Sequence, residues 1–191
     1  MRLLKDRISL DVTYYNQTTE NQILSVGTSS TTGYRSIKLN AGEIQNSGVE
    51  IMLAAKVLDH NSGLKWSATL NWAKNKSMVN ALYGGLTSYR ISPGFGGAET
   101  LGIPGQEWGI LWGLPFVRND EGKIVVGPNG LPNTTSDGKI LGNVTPDWTG
   151  GVANTFNYKG FNLYFLVDMR MGSEFFSTTA WHSYPTGTYE V

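Results

Sequence analysis

The chain contains no cysteine, which removes disulfides, thiolate metal sites and cysteine nucleophiles together. It has 2 histidines, His60 and His182. Neither has a second histidine or a carboxylate at metal-ligand spacing, so no metal or catalytic role is assigned to them. Its 15 Lys plus Arg are matched by 15 Asp plus Glu. Without a basic excess there are no counterions to release from phosphates, and nucleic acid is excluded as a partner. No apolar run approaches the ~20 residues of a transmembrane helix, so any crossing of a membrane has to use β-strands. G-x-S-x-G, H-E-x-x-H and a convincing pair of catalytic carboxylates are missing as well, and neither an enzyme nor a cofactor is expected. The start, MRLLKDRISLD, has a basic flank but lacks the apolar core of about 7–15 residues that a signal peptide needs. An export signal is therefore expected outside this sequence.

What the chain does have is 24 Gly, 6 Trp, 9 Tyr and long stretches of strict alternation. The clearest lies at 143–172. Trp148, Gly150, Val152, Asn154, Phe156 and Tyr158 alternate with small or polar residues. After Lys159 and Gly160 the phase restarts with Phe161, Leu163, Phe165, Val167, Met169 and Met171 opposite Asn162, Tyr164, Leu166, Asp168 and Arg170. A period of two with one apolar face is a strand, and two such runs around a two-residue turn are a β-hairpin. Each run is about twice the usual length of a strand in a soluble sandwich. Ten steps of ~3.3 Å tilted by ~45° rise about 23 Å, close to the ~25 Å apolar band of an outer-membrane barrel.

The same pattern recurs. Ile8, Leu10, Val12 and Tyr14 alternate with Ser9, Asp11, Thr13 and Tyr15 within 7–16. At 48–58, Val49, Ile51, Leu53, Ala55 and Val57 oppose Glu50, Met52, Ala54 and Lys56. After a tight turn at 59–63, Leu64, Trp66, Ala68, Leu70 and Trp72 oppose Lys65, Ser67, Thr69, Asn71 and Ala73. Trp108, Ile110, Trp112, Leu114 and Phe116 form a further alternating run, with Pro115 marking an edge, an end or a bulge. The polar tract at 17–47 reads as a long surface loop, as does 119–145 with a short hairpin at 123–126. Placing the turns at 59–63 and 159–160 on one side of a membrane requires one extra strand near 82–92, with 94–105 as its return. The expectation is an all-β, antiparallel transmembrane barrel fragment of about seven strands, with 1–191 as one partial barrel.

Several stretches together resemble one family: SLDVTYYNQT, NAGEIQNSGVEI, LKWSATLNWAKNKSMV, GILWGLPF and LGNVTPDWTGGVANTFNYKGFNLYFLVDMRMG. In this order they are similar to the C-terminal barrel portion of SusC/RagA-type TonB-dependent outer-membrane transporters of Bacteroidetes. The most specific marks are Asn40-Ala41-Gly42 with Asn46 and Gly48, and Gly142-Asn143 with Pro146, Trp148 and Gly151. The resemblance implies import of glycan oligomers or peptides across the bacterial outer membrane, a SusD-like surface lipoprotein, and the TonB complex as energy source. The plug and the TonB box of that family are not found in these residues.

Candidate site residues follow from strand faces. Glu50, Lys56, Asp168 and Arg170 stand on polar faces, where they would line a lumen; they would touch substrate or plug there, or form an ordinary solvated wall. Trp66, Trp72, Trp108, Trp112, Trp148, Tyr158 and Phe161 stand on apolar faces and are expected to pack against the lipid bilayer as an aromatic girdle rather than to stack on sugars. Among loop residues, Tyr34, Tyr83, Tyr89 and Trp181 are the candidates for ligand contact. Gly94, Gly96 and Gly97 lack the βαβ setting of a phosphate loop, and 119–122 lacks the spacing of a Ca²⁺ loop, so both read as connections. The rival reading is a secreted, soluble β-sandwich that binds carbohydrate through its Trp and Tyr side chains.

Overall fold

The computed structural model describes residues 1–27, 29, 31, 33–59, 63–95, 97–186 and 188. Its elements are β1 (Arg2–Leu3), β2 (Ile8–Gly27), β3 (Ser36–Asp59), β4 (Lys65–Leu82), β5 (Tyr89–Phe95), β6 (Ala98–Gly102), β7 (Ile110–Gly113), β8 (Lys139–Asn143), β9 (Trp148–Tyr158), β10 (Phe161–Met171) and a helix, α1 (Thr178–Thr186). They form a six-stranded sheet in the order β1-β2-β3-β4-β9-β10 and a four-stranded sheet in the order β5-β6-β7-β8. The chain divides into two compact units. One holds Met1–Thr19, Gln45–Ser77 and Pro146–Gly172, and the other holds Glu20–Ile44, Met78–Thr145 and Ser173–Val191.

The first unit is built on the hairpin that alternation predicts. Lys159 (φ 46°) and Gly160 (φ 88°) both adopt the left-handed conformation, which a two-residue type I′ turn demands because its twist matches that of the flanking strands. Pairing is continuous over eleven residues from Phe161↔Tyr158 to Met171↔Trp148. On its other edge β9 pairs antiparallel with β4, from Lys65↔Asn157 to Ala73↔Thr149. Directly opposed residues share a face, so the two registers assemble cross-strand rows. Trp66, Phe156 and Leu163 form one apolar row, and Leu70, Val152 and Val167 another. On this face Trp66 stacks on Phe156 with centroids 5.4 Å apart, Phe156 stacks on Phe165 at 6.0 Å, and the Trp66 indole N–H donates to Asn154 Oδ1 at 3.1 Å.

All buried apolar side chains among the described residues belong to the second unit: Leu24, Ala41, Ile44, Val79, Ala98, Leu101, Ile110 and Leu111. Val79, fully buried, is tied to the turn at 103–106 by its own N–H to the Gln106 carbonyl and by Gly105 N–H to its carbonyl. After β7, three short segments bridge one another through Phe116↔Thr134, Arg118↔Ile124 and Val126↔Pro132, and the expected hairpin at 123–126 supplies one of the three rather than a hairpin of its own. Asn119 Oδ1 accepts from the N–H groups of Glu121 and Lys123, so the acidic stretch is an Asx turn.

Three expectations are corrected. The tract at 17–47 is mostly strand, not loop, since β2 and β3 are 20 and 24 residues long. Its alternation is absent because Gln17, Thr18, Thr19, Glu20, Asn21 and Gln22 are all polar, so the strand offers no apolar phase to read. No extra stave forms near 82–92. β4 pairs directly with β9, so the chain leaves the long-strand sheet and re-enters it at the same end, and the strand count balances by subtraction rather than addition. The proposed return at 94–105 belongs to the β5-β6 hairpin. The run 108–116 yields only the four-residue β7 in the second sheet. Its alternate positions, Gly109 and Gly113, are small rather than polar, and the adjacent Ile110 and Leu111 are both buried, so large-small periodicity imitated a one-faced strand. The long-strand sheet therefore has five long strands and the two-residue β1, where about seven were expected. Within the turn at 59–63, His60, Asn61 and Ser62 lie outside the described residues.

Candidate functional site: the polar face of the long-strand sheet

Five strands contribute to one shallow concavity of about 470 Å³, whose lining also includes Ile51, Trp72 and Gly150 from the opposite phase. β2 supplies Asp11 and Thr13, β3 Glu50 and Met52, β4 Asn71 and Ala73, β9 Thr149 and Gly151, and β10 Leu166 and Asp168. Asn71, Gly151 and Asp168 are direct cross-strand partners. Arg170 lies one rung along, opposite Thr149, with its Nε 3.8 Å from Asp168 Oδ2. Both side chains of that pair are mostly exposed, so the ion pair adds little to stability and its groups stay available to a ligand or another chain segment.

Of the four expected lumen residues, the structure brings together Glu50, Asp168 and, beside them, Arg170. Lys56 is elsewhere. Its backbone N–H donates to the Arg7 carbonyl at 2.9 Å, its own carbonyl accepts from the Arg7 guanidinium at 3.4 Å, and it lines a separate depression with Leu4 and Ile8. Asp11 and Asn71 were not singled out from sequence, although both occupy the polar phase of strands that alternation identified.

A hydrogen-bond chain on the same face accounts for part of the NAGEIQNSG motif. Tyr15 Oη donates to Asn75 Oδ1 (2.9 Å), Asn75 Nδ2 donates to Ser77 Oγ (3.0 Å), and Ser77 Oγ donates to Asn46 Oδ1 (2.5 Å). A Cβ at Gly48 would lie 2.5 Å from Tyr15 Oη and 2.6 Å from the Lys74 carbonyl oxygen. Only glycine admits the tyrosine across the strand at that point.

Long antiparallel strands in one layer are also what comparison with known proteins finds. Residues 1–191 match the model of the family described as "TonB dependent receptor-like, beta-barrel". The chain belongs to this TonB-dependent receptor β-barrel family. It is similar to TonB-dependent receptor P39 of Formosa agariphila, with 26% identity over 92% of this chain and 21% of that protein. It is also similar to TonB-dependent receptor P3 of the same organism, with 26% identity over 93% of this chain and 20% of that protein. Among solved structures it shares its fold with the RagAB peptide transporter, at a TM-score of 0.68 and 23% identity over 88% of this chain and 20% of the other. The RagAB peptide importer in its closed-closed state gives a TM-score of 0.69 over the same shares. The chain thus spans about a fifth of the length of these relatives. The family is one of receptors and transporters rather than enzymes, and the SusC/RagA-type barrel expected from the sequence is the fold found.

Within this receptor barrel segment the aromatic set divides. Trp66, Trp72, Trp148, Tyr158 and Phe161 share the apolar face of the long-strand sheet by register. Trp108 and Trp112 do not belong to that wall. Trp108 packs in the second unit against Gly102 and stacks with Tyr89 at 6.1 Å, and Trp112 is on β7. The loop candidates lie on different elements. Tyr34 is strongly exposed between β2 and β3, Tyr83 is exposed in a short 3₁₀ turn, Tyr89 is engaged with Trp108, and Trp181 lies on α1 in edge-on contact with His182.

The LGNVTPDW motif is a junction. Asn143 Oδ1 accepts from Thr145 N–H (2.9 Å), its amide donates to Glu107 (3.2 Å), and its backbone N–H donates to Glu174 (2.6 Å). Asn143→Ala removes the Asx turn and the Glu107 bond together. We expect a local loss of about 1–2 kcal/mol, read as faster amide exchange at Thr145 and earlier proteolysis within 107–145, with exchange in β9 and β10 unchanged.

Proposed function

We propose that this chain forms part of the wall and outer surface of a TonB-dependent nutrient importer in the bacterial outer membrane. The observation that carries this is the division of faces. Within the first unit, five strands in one layer gather Asp11, Thr13, Glu50, Asn71, Thr149 and Asp168 around one shallow concavity, while the opposite face exposes Phe161, Leu163, Phe165 and Val167, and no apolar side chain among the described residues of that unit is buried. In water such a layer would have to bury that face; in a bilayer lipid covers it and the polar face lines a lumen. In this reading Trp66, Trp72, Trp148, Tyr158 and Phe161 meet lipid and its headgroups, and Glu50, Asp168 and Arg170 face the lumen or a plug. The Lys159–Gly160 turn faces the periplasm, and the segment 83–147 stands outside the cell. The resemblance to SusC/RagA-type transporters adds a SusD-like lipoprotein and the TonB complex as partners, and glycan oligomers or peptides as cargo.

Uptake tests the proposal. Cells making the receptor should accumulate labelled oligosaccharide or peptide only with a proton-motive force and functional TonB, and cells lacking it should not. Equal, energy-independent uptake in both strains would overturn the importer reading. The soluble carbohydrate-binding rival makes the opposite demand on solubility. We expect the purified chain to aggregate without detergent, and a folded detergent-free monomer would favour the rival.

A further inference from the structure

We infer that the face of the four-stranded sheet around Trp112, Glu99 and Arg90 is a binding subsite for a neutral pyranose unit of an oligosaccharide. The cleft has a volume of about 420 Å³ and is lined by Ser88, Arg90, Glu99, Leu101, Ile103 and Trp112. Glu99 and Trp112 are direct cross-strand partners on β6 and β7, so carboxylate and indole stand side by side.

Each part is fixed before any ligand arrives. The Arg90 guanidinium grips Glu99 with two bonds, Nη2 to Oε1 at 2.7 Å and Nε to Oε2 at 3.2 Å. The Trp112 ring lies directly on Gly138, occupying the space a Cβ there would need. Leu101, nearly fully buried, makes an apolar floor. A ring and a carboxylate already held in place lose little freedom on binding.

The chemistry selects the ligand. A carboxylate has about four lone-pair sites, and Arg90 uses one on each oxygen, which leaves each oxygen able to accept a hydroxyl from a vicinal pair. The indole offers an apolar face to the C–H side of a sugar ring, and Ser88 adds a hydroxyl. The Arg90–Glu99 pair cancels its own charge, so an acidic sugar gains nothing and meets the carboxylate. An extended peptide is disfavoured for a separate reason. β6 is paired on both edges, with β5 and β7, and β7 is paired with β6 and β8. The backbone row that a peptide strand would need beside Trp112 and Glu99 is already occupied.

The biological use of this subsite rests on the importer reading, and the test separates the two. The detergent-purified receptor is titrated calorimetrically with neutral hexasaccharides of glucose, mannose and galactose, with a hexauronate, and with an octapeptide mixture. At least one neutral hexasaccharide should bind, with Trp112→Ala lowering its affinity about tenfold or more, as for a buried aromatic anchor. Trp112→Tyr should restore most of that loss, and Glu99→Gln should weaken binding severalfold. Retention of the heat-modifiable folded band shows that each variant is intact. The inference is overturned if no neutral hexasaccharide binds at millimolar concentration, if the hexauronate or the peptides bind as tightly as the best neutral sugar, or if folded Trp112→Ala and Glu99→Gln both bind within twofold of wild type. Energy-dependent uptake by the wild-type receptor, measured in parallel, reports on the importer reading whatever the subsite does.

Discussion

Val167→Arg is expected to cost about 2–4 kcal/mol of folding stability in a bilayer, whereas Leu166→Arg, one residue away, should cost less than about 1 kcal/mol. Val167 is aligned with Val152 and Leu70 in the middle of the apolar face, and Leu166 opposes Ala153 and lines the polar concavity. Exposure does not distinguish them, at 48% and 55%. The prediction depends wholly on which face meets hydrocarbon, where a guanidinium has no water to solvate it. Denaturant titration of the receptor in phospholipid vesicles, or the fraction reaching the heat-modifiable form, measures the difference. If Leu166→Arg proves the more damaging, the assignment of lumen and lipid faces is reversed.

Gly48→Ala should lower stability by about 1–3 kcal/mol, the usual cost of forcing extra volume into a filled site. The new methyl would meet the Tyr15 hydroxyl and the Lys74 carbonyl oxygen. The hydroxyl can swing away only by breaking its bond to Asn75, and the carbonyl is backbone and cannot. Gly27→Ala is the control, because a Cβ there has nothing within 4 Å and stability should stay within about 0.5 kcal/mol. Tyr15→Phe, which removes the Asn75 bond but keeps the ring, should lie between them. A Gly48→Ala variant as stable as the control would mean that the ring does not lie over residue 48 in the membrane.

Much of the first unit was legible because its strands have two unlike faces. The strands 148–158, 161–171 and 64–73 each carry an apolar face and a small or polar one, which leaves a period of two, and the Lys-Gly pair marks the turn between the first two. Legibility ended where the asymmetry ended. The polar continuation of β2 past Asn16 has no apolar phase, and the run around the largely buried β7 alternates at Gly109 and Gly113 without being a one-faced strand. The candidate site divided along the same line. Glu50, Asp168 and Arg170 follow from strand phase, while their convergence with Asp11 and Asn71 follows only from strand order.

By itself the sequence determined the strand faces, the hairpin at 159–160, the absence of helical spans and cysteine chemistry, and the family resemblance. These rest on local periodicity, on composition, or on short motifs. The tertiary structure decided that β4 lies beside β9, that residues 83–147 leave and rejoin the long-strand sheet at one end, and that Trp108 and Trp112 belong to a second sheet. Pairing across an insertion of that length is set by matched rows such as Trp66, Phe156 and Leu163. Such matching is a property of two distant segments together, and neither carries it alone.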